Sequence, residues 1–425
     1  MKAWNSVPVP RLAGAVQPLR VFDTATGQLT TVHPEDGQAG LYVCGITPYD
    51  ATHMGHAATY VTFDLVNRLW RDGGLSVNYV QNVTDVDEPL LERAERDGVA
   101  WQDLAAGEIA LFFEDMEALR VLAPRHYVGA VEGIPDDVSA VEQLVATGAA
   151  YFVPVPEGAV DPAARGDVYL DLSQQPGFGS VSGWTRPEMM AVFADRGGDP
   201  DRAGKRDQLD PLLWRAARQG EPSWPGGDLG DGRPGWHIEC STIALRYLGA
   251  TFQLQGGGKD LTFPHHEMSA TQACALTGRN AFAQAYVHQA MVGLEGEKMS
   301  KSKGNLVLVS RLRRQGVDPL AIRLALLGHH YRNEWSWTDQ DLEAATERLA
   351  QWRAAAQVAQ STTPANTDVV TQVITDVRTR LTDDLDSPGA VEVVDAWANA
   401  TASDSSQAGG SDIVEAIDAL LGIKL

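Results

Sequence analysis

The sequence predicts an α/β protein: a Rossmann-like nucleotide-binding fold on a parallel sheet, interrupted by an inserted α+β segment and followed by a C-terminal helical bundle. Three observations carry this expectation. A strand, a turn, a helix and a second strand follow one another between Leu41 and Gln81, a helix-and-strand pattern resumes at Trp236, and helical periodicity dominates beyond Asp318. The division expected is residues 1–124 and 235–310 for the two halves of the nucleotide fold, 125–234 for the insertion, and 311–425 for the helical domain. A chain of 425 residues needs more than one unit, since single cores stop growing near ~250 to 300 residues.

In order, residues 1–40 are loop-rich, with a hairpin between Val21 and Thr31. Leu41 to Cys44 reads as a short buried strand, ended by the turn residues Gly45, Thr47, Pro48 and Asp50. Met54, Ala58, Val61, Leu65 and Leu69 recur at three- and four-residue steps, so a helix should start near Thr52 or His53 and run to Trp70. Ser76 to Gln81 is then a strand parallel to the first, because a crossover helix separates them. Polar Asn82, Thr84, Asp85 and Asp87 follow its carboxyl end, where open parallel sheets bind ligands.

Helices are expected at Pro89 to Arg96 and Trp101 to Val121. From about Arg125 to Pro234 the pattern is irregular, with a strand at Asp167 to Leu172 and two glycine-rich stretches, Asp195 to Pro200 (D-R-G-G-D-P) and Glu221 to Gly227. The nucleotide fold resumes with a helix at Trp236 to Leu248, a strand at Phe252 to Leu254, a turn at Gly256 to Gly258 and a helix at Pro264 to Leu276. Five helices follow: Asp318 to Leu327, Asp339 to Val358, Asp368 to Leu381, Ala390 to Ala398 and Ser411 to Leu421, with Ala400 to Gly410 read as a linker.

Composition narrows the functional classes. Thirty-four basic against fifty-six acidic side chains leave a net charge of −22, which disfavours a large phosphate-backbone footprint, and no nucleic-acid partner is expected. No apolar run reaches the length of a signal peptide or a membrane span, so a cytoplasmic protein with no membrane partner is expected. Three cysteines do not make a disulfide framework.

The chemistry-bearing residues lie far apart in the chain. His53 and His56, in H-M-G-H, fall on the first turn of a helix, where the dipole attracts phosphate. Lys298 to Asn305 (K-M-S-K-S-K-G-N) sets three lysines and two serines beside a glycine, a composition suited to neutralising a polyphosphate. Each alone also reads as ordinary structure: two histidines bonded at a helix start, and a solvated basic turn. Cys44, Cys240 and His265 are no local zinc finger, yet all three sit at ligand-side ends of elements in the proposed sheet. Two thiolates and an imidazole make a soft tetrahedral site suited to one Zn²⁺ per chain, with one position open for a substrate thiol. Cys274, inside an apolar helix, reads as core.

Taken together, Y-V-C-G-I-T-P-Y-D, H-M-G-H, Y-V-Q-N-V-T-D-V-D, G-R-P-G-W-H-I-E-C-S, G-G-G-K-D-L-T-F-P-H-H-E and K-M-S-K-S resemble the class I aminoacyl-tRNA synthetases, the cysteinyl-tRNA synthetases among them, over most of the first 310 residues. The D-R-G-G-D-P segment and the short helical tail resemble better a paralogous group, the cysteine ligases of mycothiol biosynthesis. That resemblance implies a two-step, amide-forming ligase that uses ATP with Mg²⁺, forms cysteinyl-adenylate, and transfers L-cysteine to the amine of glucosaminyl-inositol. It also implies Zn²⁺ on Cys44, Cys240 and His265, and places phosphate chemistry on His53, His56, Lys298 and Lys301. The adenylate would lie on Cys44, Gly45, Ile46, Thr47, Thr59, Asn82, Val83, Thr84, Trp236, Gly258, Lys259, Asp260 and Val292. Synthetases follow H-H-E with a second glutamate that closes the zinc site, where this chain has Ser269; His266 or Glu267 could close it instead. A monomer is expected. A cysteinyl-tRNA synthetase with a reduced C-terminal region is the alternative reading. A non-catalytic cysteine or adenylate sensor is a third, disfavoured because the signature histidines and lysines are all present.

Overall fold

Two short strands, β1 (Arg20–Asp23) and β2 (Gln28–Thr31), pair antiparallel as the expected hairpin and lead into β3 (Gln38–Val43). The computed structural model describes residues 1–50, 52–155, 160, 165–294, 297–298, 306–362 and 365–425. Leu41 and Val43 of β3 pack in one core and Tyr42 and Cys44 in another, so the strand is covered on both faces. The helix α1 (Met54–Asp72) and the strand β4 (Ser76–Val83) complete the expected unit. His53 sets the start of α1, because its ring Nδ1 accepts the Gly55 N–H at 3.0 Å and so satisfies an end donor.

The helices α2 (Glu88–Asp97) and α3 (Trp101–Ala118) follow as expected. Beyond them the chain is more regular than its glycine and proline content suggested. β5 (His126–Gly129) pairs in parallel with β4, so the first residues of the stretch read as insertion extend the nucleotide sheet. After α4 (Ala130–Ala146), the strands β6 (Ala150–Val153), β7 (Asp167–Leu170), β8 (Leu212–Ala216) and β9 (Gly232–Pro234) form an antiparallel sheet, with α5 (Arg186–Phe193) between β7 and β8 in the chain. Strands of three to five residues give too few alternations to read from sequence. A shared core around Trp214, with Val168, Leu170 and Phe193, holds them instead.

The nucleotide fold resumes with α6 (Trp236–Leu248), β10 (Phe252–Gly258), α7 (Glu267–Thr277) and β11 (Ala283–Gln289), and its five parallel strands lie in the order β11-β10-β3-β4-β5. Gly256 to Gly258 are part of β10, not the expected turn. A Cβ on Gly256 would lie 2.2 Å from the Phe63 ring, so glycine here serves the close approach of α1 to the sheet.

A small sheet of β12 (Val292–Leu294), β13 (Glu297–Lys298) and β14 (Trp335–Trp337) accompanies α8 (Val309–Arg314) and α9 (Pro319–Leu327). The helices α10 (Asp339–Ser361), α11 (Thr367–Thr382), α12 (Ser387–Ser403) and α13 (Ser411–Leu421) form the predicted bundle. Ala400 to Gly410 is not a linker. α12 runs on to Ser403, and Ala408 to Gly410 are buried, with the Trp397 indole donating to the Ala408 carbonyl at 3.1 Å. No described helix is long and apolar enough to cross a membrane.

A buried ion group joins bundle and sheet. The Asp64 carboxylate of α1 accepts from Arg68 Nε at 2.7 Å, Arg323 Nη2 of α9 at 2.5 Å and the Leu122 N–H at 2.8 Å. Burial alone would raise this carboxyl, but Arg68, Arg323 and the Leu122 N–H outweigh it and hold it below the usual aspartate range. Its contribution to stability is therefore complete above the unfolded value of ~3.9 and is lost as pH falls through the lower folded value. Arg323→Ala takes one of two guanidinium partners from Asp64 and the Arg323 donor from the Leu119 and Leu421 carbonyls, and should destabilise the fold by ~3 to 5 kcal/mol. Denaturant titration should show a lower midpoint at unchanged slope; an unchanged midpoint would remove this group from the account of stability.

Candidate active site

The site is built at the carboxyl ends of β3 and β4. After β3, the Cys44 N–H donates to the Gly256 carbonyl at 3.0 Å, which ties this loop to β10. The Gly45 N–H donates to Asn82 Oδ1 at 2.8 Å, Asn82 Nδ2 donates to Thr84 Oγ1 at 3.3 Å, and the Thr84 N–H returns to the Ile46 carbonyl at 3.0 Å. Cys44, Gly45, Ile46 and Thr47 thus lie stapled to Asn82, Val83 and Thr84. Thr59 stands one turn into α1, its hydroxyl bonded to the Gly55 carbonyl.

The chain that follows the lysine segment meets the start of α1 at main-chain level. The Met54 N–H donates to the Val307 carbonyl and the Val309 N–H to the Thr52 carbonyl, each at 3.0 Å, so the chain leaving the lysine segment pairs with the entry to α1. His53 and His56 stack there with ring centroids 3.8 Å apart. Behind this seam Arg313 of α8 donates to Asp115 of α3 at 2.7 Å; burial pushes the Asp115 carboxyl up to about 6 against the pull of Arg313. The main chain of Lys298 lies in β13, whereas its side chain and Lys301 lie outside the described residues.

Cys44, Cys240 and His265 converge, with their ligand atoms all within 4.8 Å of one another and all three residues buried. His265 Nε2 lies 3.1 Å from Cys240 Sγ, while its Nδ1 lies 3.0 Å from His237 Nδ1, which orients the ring. Trp236 packs against His265 with ring centroids 4.3 Å apart and the planes tilted by 30°. Burial pushes the Cys240 thiol well up, with Cys44 adding to the effect, and burial with His237 pushes His265 well down. Two buried sulfurs beside a neutral imidazole are a donor set that fits Zn²⁺.

Of the two residues offered to close this set, Glu267 is engaged elsewhere and His266 lies against Cys44. Glu267 is fully buried and accepts from the N–H groups of Gly179, Val181 and Ser182 at 2.8, 3.1 and 2.7 Å, and from the Ser182 hydroxyl at 2.9 Å, so both its oxygens serve the inserted segment. His266 Nε2 lies 3.2 Å from Cys44 Sγ but outside the three-residue group among the described residues. From His266 a chain runs through His288 at 2.8 Å to the Thr24 hydroxyl at 2.7 Å. Ser269 faces the His266 carbonyl.

Gly258 ends β10 and Lys259 and Asp260 follow it, with Lys259 paired to Glu334 at 2.7 Å. The Val292 side chain packs in the main core, the ordinary reading for an apolar strand residue. Sequence reading missed His288, the anchoring by Glu267, and the Asn82 side-chain oxygen that fixes Gly45. A histidine inside a buried strand and a glutamate beside two histidines carry no local signal of their partners.

Residues 30–347 match the family described as tRNA synthetases class I (C) catalytic domain. Over the whole of both chains the sequence is 61% identical to the L-cysteine:1D-myo-inositol 2-amino-2-deoxy-alpha-D-glucopyranoside ligase of Kytococcus sedentarius, and 56% identical to the protein of that name in Streptomyces coelicolor. Among solved structures, Mycobacterium tuberculosis methionyl-tRNA synthetase with methionyl-adenylate aligns over 90% of this chain and 89% of its own, with a TM-score of 0.59 at 15% identity. The Agrobacterium radiobacter K84 agnB2 LeuRS, in a ternary complex with tRNA and LeuAMS, aligns over 92% and 85%, with a TM-score of 0.65 at 12% identity. At those identities the likeness is one of fold.

Gly45 is the tightest point of the site, because a Cβ there would stand 1.7 Å from the Asn82 carbonyl oxygen. Gly45→Ala must part the ends of β3 and β4, and overpacking of this kind costs ~1 to 3 kcal/mol. The variant should melt at a lower temperature and lose cysteine-dependent exchange of pyrophosphate into ATP; wild-type melting and exchange would show that the loop adapts.

Proposed function

The chain belongs to the class I (C) tRNA synthetase family and matches cysteine:amino-sugar ligases over its full length, and from this we infer an ATP-dependent ligase of mycothiol biosynthesis that forms cysteinyl-adenylate and transfers cysteine to the 2-amine of glucosaminyl-inositol. The observation that carries this reading is the 61% identity, from end to end, to a protein named for that reaction.

In the first step a carboxylate oxygen of cysteine attacks the α-phosphorus of ATP, the bond to the bridging oxygen breaks, and pyrophosphate leaves. His53 and His56 at the start of α1, with Lys298 and Lys301, are assigned to the phosphate charge that moves in this step, and Mg²⁺ accompanies the nucleotide. In the second step the amine nitrogen of the sugar attacks the carbonyl carbon of the mixed anhydride. The carbon–oxygen bond to AMP breaks, an amide forms, and the amine gives up a proton.

Cys44, Cys240 and His265 would hold Zn²⁺, which supplies a Lewis acid for the substrate sulfur. A site of that kind separates cysteine from serine by chemistry rather than by size, and sites built around one polar group discriminate by ~10⁴ to 10⁵. Trp236 is assigned to the wall of the cysteine pocket. Asn82 and Thr84 fix the loop whose main chain faces the amino acid, and Gly258 to Asp260 are assigned to the ribose. The net charge of −22 suits a small amino sugar and disfavours a long polyanion as acceptor.

With cysteine and ATP, the protein should release AMP on addition of glucosaminyl-inositol and should charge tRNA negligibly under the same conditions. Efficient transfer to tRNA with no reaction on the amino sugar would overturn the reading. Metal analysis should find about one zinc per chain. Cys240→Ala should lower that content and raise the KM for cysteine far more than the KM for ATP; full metal with unchanged cysteine use would sink the zinc assignment.

A further inference from the structure

No step above uses the D-R-G-G-D-P turn, although it is one of the features that separate this sequence from the tRNA synthetases. The turn follows α5, and one of its side chains reaches out of the inserted segment. Arg196 Nη1 donates to the Asp260 carbonyl at 2.8 Å and to the Phe263 carbonyl at 2.5 Å. These two carbonyls belong to the stretch that leads from β10 to α7. Helical hydrogen bonding is broken in that stretch, because Phe263 is extended at φ −138° and ψ 133°.

The stretch carries Asp260, assigned to the ribose, before the break and His265, in the metal set, after it. Its far end is held by Glu267 on the Gly179 to Ser182 turn. Its near end is held by Arg196. The guanidinium itself lies 5.7 Å over the Trp184 ring, and Trp184 and Phe193 pack on Phe263 at 5.7 and 6.2 Å between centroids. The inserted segment therefore grips the ribose-to-metal stretch at two points. Only the Arg196 point adjoins Asp260.

We propose that Arg196 is a positioning residue, which acts on nucleotide binding by fixing the Asp260–Phe263 turn and so the place of the Asp260 carboxylate. The inference rests on the assignment of Asp260 to the ribose. A lysine keeps the charge and some of the donors but lacks the planar fork, so it should restore part of the function.

The test uses the full-length, zinc-loaded protein and cysteine-dependent pyrophosphate exchange, which needs no acceptor. Arg196→Ala should raise the KM for ATP and the Kd for AMP roughly tenfold, the scale of one lost charge-assisted contact. The KM for cysteine, the zinc content and the melting temperature should change little, and Arg196→Lys should recover much of the loss. In an Asp260→Ala background, Arg196→Ala should add no further rise. Unchanged ATP and AMP binding in Arg196→Ala would overturn the proposal. So would loss of zinc together with a fall in melting temperature, which marks a purely structural role. A full additional penalty in the Asp260→Ala background would remove this proposal alone. An Asp260→Ala protein with unchanged ATP binding would remove the ribose assignment and the proposal with it.

Discussion

One carboxylate holds the molecule's two halves in register. Asp64 lies between Arg68 and Arg323, all three side chains fully buried, so one negative charge faces two positive ones with no water to screen them. The excess is met by main chain. Arg68 donates to the carbonyls of Arg120 and Asp418, and Arg323 to those of Leu119 and Leu421. These carbonyls close the C-terminal ends of α3 and α13, each worth roughly half a negative charge. Two helix ends and a carboxylate thus balance two guanidinium groups. The helix α1, whose first turn carries His53 and His56, is fixed by this balance to the end of the C-terminal bundle. The bundle in this sense holds in place the helix whose first turn is assigned to phosphate.

The Cys–Cys–His cluster follows the same rule of placing chemistry at element ends. Cys44 leaves β3, Cys240 lies one turn into α6, and His265 sits in the irregular turn before α7. Three elements far apart in sequence meet because parallel strands deliver their carboxyl ends to one edge. The inserted segment then completes the edge from outside. Its Gly179 to Ser182 turn satisfies Glu267, which frees the neighbouring histidines from any need to share that carboxylate.

Legibility followed the length of the signal. The helix α1, with apolar residues at regular steps and turn residues on either side, was readable almost to its ends. So were the five helices of the C-terminal domain, apart from the length of α12. Cys44, Cys240 and His265 were readable as a set only because the predicted sheet placed all three on its ligand side. The four-stranded sheet of the insertion was not readable. Its strands are short, glycine and proline crowd its connections, and Trp214 organises it from a distance. The turn expected at Gly256 to Gly258 also failed, because glycine signals a turn locally and the Phe63 ring that requires it is brought in by tertiary packing.

On charge, a Cys–Cys–His cluster without a carboxylate suits a dication. Two thiolates offset one dication, so Cys44, Cys240 and a neutral His265 would leave a buried site without net charge, the least costly arrangement in a dry interior. His237 and His288, each pushed down to about 3 by burial, add no charge around it. A glutamate in place of Ser269 would add a negative charge before any substrate arrived. An incoming thiolate would then meet an anionic site instead of a neutral one. On that reading Ser269 would spare the incoming sulfur such a barrier, while both oxygens of Glu267 are taken up by three N–H groups and a hydroxyl of the inserted segment.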